Sequence, residues 1–387
     1  MRFFHLSDLH IGLKLMGRDL REDQEYILNE IIRITAQEKP DAMVIAGDIY
    51  DKAVPGADAV ELFDAFVSHL HEAVPGMPVM MISGNHDSAP RLDCFRRILS
   101  REDVYMIGQP PRREGEHIAR VTLEDAYGPV HFYLLPFVRP SMVKAVVGTD
   151  ENGSNLSYDA SLRRLLEMEE IDTSQRNVLV SHQFYLPEGK DADQVERTDS
   201  EIRIAGNIDA VRADVLDRFD YAALGHIHKP MKVGSECRRY CGTPLACSVS
   251  EAGQSKGIIL VEMGEKSSPV KTRVIPLLPL RQIRRIRGCL PQVLDQACTD
   301  YVSLTLCDEA PAGESDLQQR LAEAFPRLLE VRRENQWQPD YAGAQAAGPV
   351  GSVDPFALCS AFLGEMDEEE KDILRDVISS VQEVKLR

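Results

Sequence analysis

"PVMMISGNHDS", residues 78–88, runs from four consecutive apolar side chains into a serine and a glycine, and then into an amide, an imidazole and a carboxylate. An unbroken apolar tetrad between proline and glycine is the pattern of a strand buried on both faces, as in a parallel sheet covered by helices. Turn chemistry accounts for Gly84 and Asn85, with Gly84 letting the backbone turn sharply after the strand. It gives no reason for His86 and Asp87.

The same device recurs outward along the chain. "RFFHLS", "DAMVIAG", "VHFYLLP", "NVLVSH", "DYAALGH", "RRYCGTP" and "KGIILVEM" are further β-rich apolar runs. Between the early ones lie amphipathic stretches. Residues 21–38 place Tyr26, Ile27, Ile31 and Ile34 among charges, and 57–72 carry Val60, Phe63, Phe66, Val67 and Leu70 as a stripe. Alternating strand and helix predicts a layered α/β domain. The 57–72 stripe has two readings, core packing or a dimer surface; a predicted helix over 89–101, with Leu92, Phe95, Ile98 and Leu99, is the natural partner for the second.

The 387 residues exceed one comfortable core, which implies a large domain and smaller ones. No apolar run reaches membrane-spanning length and charges begin at Arg2, so a cytoplasmic protein without a signal peptide is expected. Eight scattered cysteines fit reduced thiols; Cys237, Cys241 and Cys247 fall close together but match no common zinc spacing. A net charge of −18 argues against nucleic-acid binding by bulk electrostatics, unless bound cations, a local basic surface or a second subunit supply the positive field.

Chemistry collects where strands end. Asp8 and His10 follow the first run, Asp48 and Asp51 the second, and Asn85, His86 and Asp87 the third; His182 ends a fourth, and His226 and His228 a fifth. Open sheets bind ligands beyond the carboxyl ends of their strands, so residues distant in sequence can meet there. Carboxylates and imidazoles gathered in one crevice repel or waste desolvation energy unless cations lie between them, and a pair of divalent ions satisfies that requirement. Mixed Asp, His and Asn donors suit Mn²⁺, Fe²⁺ or Zn²⁺, with Mn²⁺ the first choice. His5, His69, His71, His117 and His131 lack ligand-type neighbours and read as core or surface residues.

Taken in order, "SDLH", "GDIYD", "SGNHD", "SHQ" and "GHIH" resemble the signature of the calcineurin-like metallophosphoesterase superfamily. "FFHLSDLHIG", "FYLLPFVRP" and "YCGTPL" further resemble its double-strand-break repair nucleases, strongly over residues 1–275. The resemblance implies a β-sandwich flanked by helices, a small α+β capping domain at 276–335, a linker at 336–352 and a helical partner-binding segment at 353–387. It implies one metal held by Asp8, His10, Asp48 and His228 and a second by Asp48, Asn85, His182 and His226, with Asp48 bridging. His86 then faces the substrate as a catalytic group oriented by Asp87, and Asp51 orders the loop. The implied activity is 3′–5′ exonuclease and endonuclease cleavage of DNA, by a homodimer working with a coiled-coil ATPase of the SbcC type.

Two other function classes compete. A protein phosphatase or small phosphodiesterase keeps the metals, but the phosphatases' arginines are missing, since Lys52 follows Asp51 and Ser83 precedes Gly84. A non-catalytic DNA-end scaffold needs no ligand set, yet every expected ligand is present. Within "IPLLPLRQIRRIRG", Arg281, Arg284, Arg285 and Arg287 either contact DNA phosphates or form a solvated basic face. The amphipathic 367–384 stretch docks on its own body or, behind a Gly/Ala/Pro-rich linker, on the ATPase.

Overall fold

The apolar runs become strands because each buries both faces. A computed structural model describes residues 1–187, 189, 195, 198–201, 209–307, 314–334, 371 and 374. In the first sheet β1 (Arg2–Leu6) runs parallel to β4 (Ala42–Ile45), followed by β5 (Val79–Ile82) and β6 (Val104–Ile107). A short hairpin, β2 (Lys14–Leu15) and β3 (Arg18–Asp19), lies after β1. The second sheet is built from β7 (Ala119–Asp125), β8 (Gly128–Leu135), β9 (Arg176–His182), β12 (Tyr221–Gly225), β13 (Met231–Val233) and β14 (Ser235–Tyr240), with β8, β9, β12 and β14 parallel. Strands β10 (Phe184–Leu186) and β11 (Ala210–Arg212) pair beside it. Finally β15 (Lys256–Glu262) and β16 (Lys271–Leu277) return to the first sheet, β15 lying antiparallel against β1.

The sheets stack face to face, and Phe3, Val44, Met80, Phe132, Val178 and Tyr221 fill the space between them. Phe3 and Phe132 meet edge to face at 5.2 Å, the arrangement that ring quadrupoles favour. Outside the first sheet, α1 (Arg21–Glu38) and α2 (Ala57–Ala73) bury Ile27, Ile31, Phe63, Phe66 and Leu70. The α2 stripe is therefore core, although Val60 stays 44% exposed. The second sheet is covered by α5 (Pro140–Val147) and α6 (Tyr158–Glu167). The result is a layered α/β sandwich. Its register matters for the site: Leu6 lies opposite Ile45, Ile45 opposite Met81, and Gly225 opposite His182, so the carboxyl ends share one rim.

The expected helix over 89–101 is instead two short ones, α3 (Ala89–Leu92) and α4 (Arg96–Leu99), followed by a 3₁₀ turn. Phe95 breaks it by adopting φ +62°, a left-handed conformation incompatible with a continuing helix.

After β16, which carries the first sheet through Pro276 to Leu277, comes β17 (Ile283–Gly288), α7 (Leu290–Leu294), β18 (Tyr301–Leu306), α8 (Glu314–Ala324) and β19 (Leu328–Arg333). These strands form a three-stranded parallel sheet with a core of Ile286, Val293, Val302, Leu304, Leu321 and Phe325. Tyr301 Oη and Arg281 Nη1 both donate to Asp23 of α1, at 2.7 and 2.9 Å. This changes the arginine reading: Arg281 ties the segment leading into this sheet to α1, Arg284 pairs with Asp300, Arg285 donates to the Val249 carbonyl and Arg287 pairs with Glu334, and residues 1–334 form one compact unit. Of the linker and helical segment expected over 336–387, only Lys371 and Leu374 fall among the described residues, both helical; the rest lies outside them. Among the described residues no helix is long and apolar enough to cross a membrane.

Candidate metal centre

The loops leaving β1 and β4 are stitched together before any side chain is considered. Asp8 N–H donates to Gly47 O at 2.9 Å and His10 N–H to Asp48 O at 3.0 Å. Asp8, His10, Asp48 and His226 all take positive φ, at 53°, 44°, 49° and 101°. Such backbone costs about 1–3 kcal/mol per residue and persists only where its surroundings impose it. Three glycines make room. A Cβ on Gly47 would lie 2.3 Å from His182 Nδ1, one on Gly84 2.1 Å from Asp48 Oδ1, and one on Gly225 1.9 Å from Ala46 O. Gly84 is thus needed for close approach to Asp48, not for the sharp turn the sequence suggests; its φ is not left-handed.

Around these loops the strand-end residues come together. Asp8, His10 and His228 offer ligand atoms within 4.8 Å of one another, and so do Asp8, Asp48 and His182. His10 Nε2 and His228 Nε2 stand 3.1 Å apart. On the other side His182 Nε2 is 3.2 Å from Asp48 Oδ2 and 3.0 Å from Asn85 Oδ1, which is itself 2.8 Å from His226 Nδ1. The outer ring nitrogens of two histidines are held: His182 Nδ1 donates to Ala46 O at 2.7 Å, and His228 Nδ1 faces Ser200 Oγ at 2.8 Å. This directs the inner nitrogens at the acidic groups, the usual arrangement of metal-binding histidines.

Electrostatics show how tightly these groups interact. Burial opposes ionisation of Asp48, but the facing imidazoles of His182, His86 and His10 outweigh it and hold the carboxyl well below the usual range. Burial likewise opposes charge on His182, and Asp48, Asp8 and the Ala46 carbonyl overcome it, raising the imidazole to about 9. Asp8 moves up and His10 down, each driven first by burial. The buried carboxylates of Asp8 and Asp48 face imidazoles and accept from the main-chain N–H groups of His226 and His86, and His10 Nδ1 is buried with no hydrogen-bond partner among the described residues. Oxygen and imidazole donors converging in this way fit divalent cations.

His86 stands at the edge of this group, its ring 4.8 Å from that of His10. Asp87 does not orient it. The His86 Nδ1–H donates to the main-chain carbonyl of Asp51 at 2.9 Å, while the Asp87 carboxylate accepts from the N–H groups of Ile49, Tyr50 and Gly84. Asp87 therefore clamps the β4 loop to the β5 loop, and burial with the nearby Asp48 pushes it up to about 7. Asp51 contributes twice, through that carbonyl and through a carboxylate 3.9 Å from His10 Nδ1. His10, Asp51, His86 and His228 line a cavity of 340 Å³, whose wall also includes Glu330 and Arg332 of β19.

The sequence profile of the calcineurin-like phosphoesterases matches residues 1–230. The chain belongs to that family. Similar solved structures include TT1561 of Thermus thermophilus (13% identity over 70% of this chain and 98% of the other, TM-score 0.41) and a dimetal phosphatase from Danio rerio (15%, 72% and 98%, 0.42). A third is GAP50, the anchor in the inner membrane complex of Plasmodium (12%, 91% and 99%, 0.36). Family membership makes the protein a metal-dependent phosphoester hydrolase that uses divalent metals.

Several residues of this phosphoesterase site carry no sequence signal of their own. Phe137, in the loop after β8, stacks on His226 and meets His182 edge on, both at 6.3 Å, and the Arg139 guanidinium lies 5.8 Å from the centre of the same ring. Glu201 accepts the His228 N–H at 2.9 Å. In the sequence, Phe137 and Arg139 stand out only within "FYLLPFVRP", as part of the resemblance to repair nucleases. The three neighbouring cysteines are free thiols and do not converge: Cys247 lies beside His228 and Glu251, whereas Cys241 faces the His5 carbonyl. His5 bonds Tyr221 and Leu224 inside the sandwich, His131 bonds Thr122, and His117 lies 3.5 Å from Glu169.

Proposed function

We propose that the protein is the nuclease subunit of an SbcCD-type complex, an SbcD-like DNA phosphodiesterase. In this reading it is cytoplasmic and Mn²⁺-dependent, degrades double-stranded ends 3′ to 5′, cuts single strands and hairpins, and works as a homodimer with an SbcC-type ATPase in DNA repair. The observation that carries the reading is the convergence of Asp8, His10, Asp48, Asn85, His182, His226 and His228 on one buried rim. A nucleic-acid substrate is supported by the sequence stretches shared with repair nucleases and by Lys52 and Ser83 standing where protein phosphatases carry arginines. Exposed Phe95 and Ile98, at 73% and 61%, support a dimer contact through the α4 segment.

Two divalent ions held by Asp8, His10, Asp48, Asn85, His182, His226 and His228 would supply Lewis acidity to a phosphodiester at this rim. Asp48 Oδ2 lies 3.8 Å from His10 Nε2 and 3.2 Å from His182 Nε2, which supports the bridging role that the family resemblance implies for it. His86, held through Nδ1 by Asp51 O, keeps Nε2 available to hold a proton for the leaving oxygen. Lys14 and Arg332 bring positive charge to the cavity wall of an otherwise acidic chain. The test is Mn²⁺-dependent cleavage of end-labelled duplex DNA by the wild type, His86→Ala and Asp48→Ala, with bis(4-nitrophenyl) phosphate as comparison. Cleavage of DNA by the wild type alone is expected; hydrolysis of the small diester with DNA left intact, even with the ATPase added, would turn the assignment toward a phosphatase or small phosphodiesterase.

A further inference from the structure

Behind His228 lies a carboxylate–ammonium pair withdrawn from solvent. Glu251 and Lys256 are 1% and 6% exposed and meet at 2.6 Å. Glu251 Oε1 stands 3.3 Å from His228 Nδ1 and accepts from Ser200 Oγ at 2.8 Å, and that hydroxyl is itself 2.8 Å from Nδ1. Glu251 Oε2 accepts from Lys256 and from Thr243 Oγ1, the latter at 3.1 Å. Lys256 Nζ also donates to the main-chain carbonyl of His228 at 3.0 Å and to Gln254. The pair thus grips His228 at both ring and backbone. The turn carrying Glu251 is fastened from the small domain, where Arg285 Nε donates to Val249 O at 2.9 Å.

Stability does not explain this arrangement. Desolvating two charges offsets most of their attraction, and apolar replacement of a whole buried pair is often neutral or stabilising. What the carboxylate supplies is an acceptor on the outer side of the imidazole, directly and through the Ser200 hydroxyl whose proton it accepts. With Nδ1–H donating toward Ser200 and Glu251, the Nε2 lone pair is directed at His10 Nε2, 3.1 Å away.

We infer that Glu251, kept in place by Lys256, is a positioning residue for His228 in the metal centre. The inference rests on the metal-centre reading above. It is tested on the full chain by Mn²⁺ titration calorimetry and metal analysis, with circular dichroism and thermal unfolding alongside. Glu251→Leu/Lys256→Met removes the pair and leaves apolar contacts, whereas Glu251→Gln/Lys256→Met keeps an acceptor opposite Nδ1. The first double variant is expected to fold with an unchanged or higher unfolding midpoint, yet bind one of two Mn²⁺ ions about 10- to 100-fold more weakly. The second is expected to recover most of that loss. If both fold and bind two ions as tightly as wild type, or if the Leu/Met variant fails to fold, the pair is structural and the inference is overturned. A wild type that takes up no Mn²⁺ overturns the metal-centre reading together with it.

Discussion

His5 and His10 are both buried and lie five residues apart, yet they occupy opposite kinds of surroundings. His5 points into the sandwich, where Tyr221 Oη at 3.0 Å and Leu224 O at 3.2 Å satisfy its ring, and burial pushes its pKa down to about 3. His10 faces a histidine and a carboxylate, one ring nitrogen has no hydrogen-bond partner among the described residues, and its backbone is left-handed. The sandwich interior settles the polar ring of His5 within the protein. The rim above it leaves donors pointed at one another and strains the backbone to do so. Stability and chemistry are thus separated along a single strand and its loop, and cations complete only the second region.

That separation breaks in measurable ways. The largest effect is expected from Asp48→Ala, which removes the carboxylate facing both His10 and His182: hydrolysis of bis(4-nitrophenyl) phosphate should fall by about 10⁴-fold or more while circular dichroism is retained. Phe132→Ala strikes the other region. It should cost about 3–5 kcal/mol in urea unfolding, with Mn²⁺ stoichiometry unchanged in the folded fraction; loss of metal there would show that the regions are not separable. Next comes His86→Ala: on the proposal that this side chain holds a proton for the leaving oxygen, it is expected to lower kcat on DNA by about 10²-fold without weakening Mn²⁺ binding, and weaker Mn²⁺ binding would instead place His86 among the ligands.

The smallest effect concerns pH. The folded pKa of His5, about 3, lies below its unfolded value of 6.5, so between these values the unfolded chain binds more protons. His5 then contributes stability that is complete above pH 6.5 and is lost as the pH falls, at up to about 1.4 kcal/mol per pH unit. His5→Gln should flatten the acid side of the stability profile relative to wild type; an identical slope would mean that the imidazole is charged inside the sandwich.

Much of this was legible in the sequence because parallel strands buried on both faces must be apolar runs, and a polar residue at the end of such a run stands out. Asp8, Asp48, Asn85, His182, His226 and His228 were visible for that reason. What sequence could not reveal depends on approach in space. Gly84 is required by Asp48, which belongs to the preceding strand's loop. Asp87 serves loop amides and not His86, and Glu251 meets His228 from the end of a separate turn. The helix over 89–101 satisfied the apolar period, but periodicity says nothing about φ at Phe95. Strand β17 was hidden because "IRRIRG" alternates arginines that find carboxylates and carbonyls within the fold.

The position of β1 between β4 and β15 has a consequence for the order of events during synthesis. Asp8 leaves the ribosome about 250 residues ahead of Lys256–Glu262, the strand that flanks β1 and is among the last of the sandwich to be made. At about 5–20 residues per second, roughly 10–50 s separate the two. Through that interval the β1 edge stays open and His226 and His228 are absent for most of it. A nascent chain therefore cannot assemble a competent hydrolase until the scaffold around the site is essentially whole.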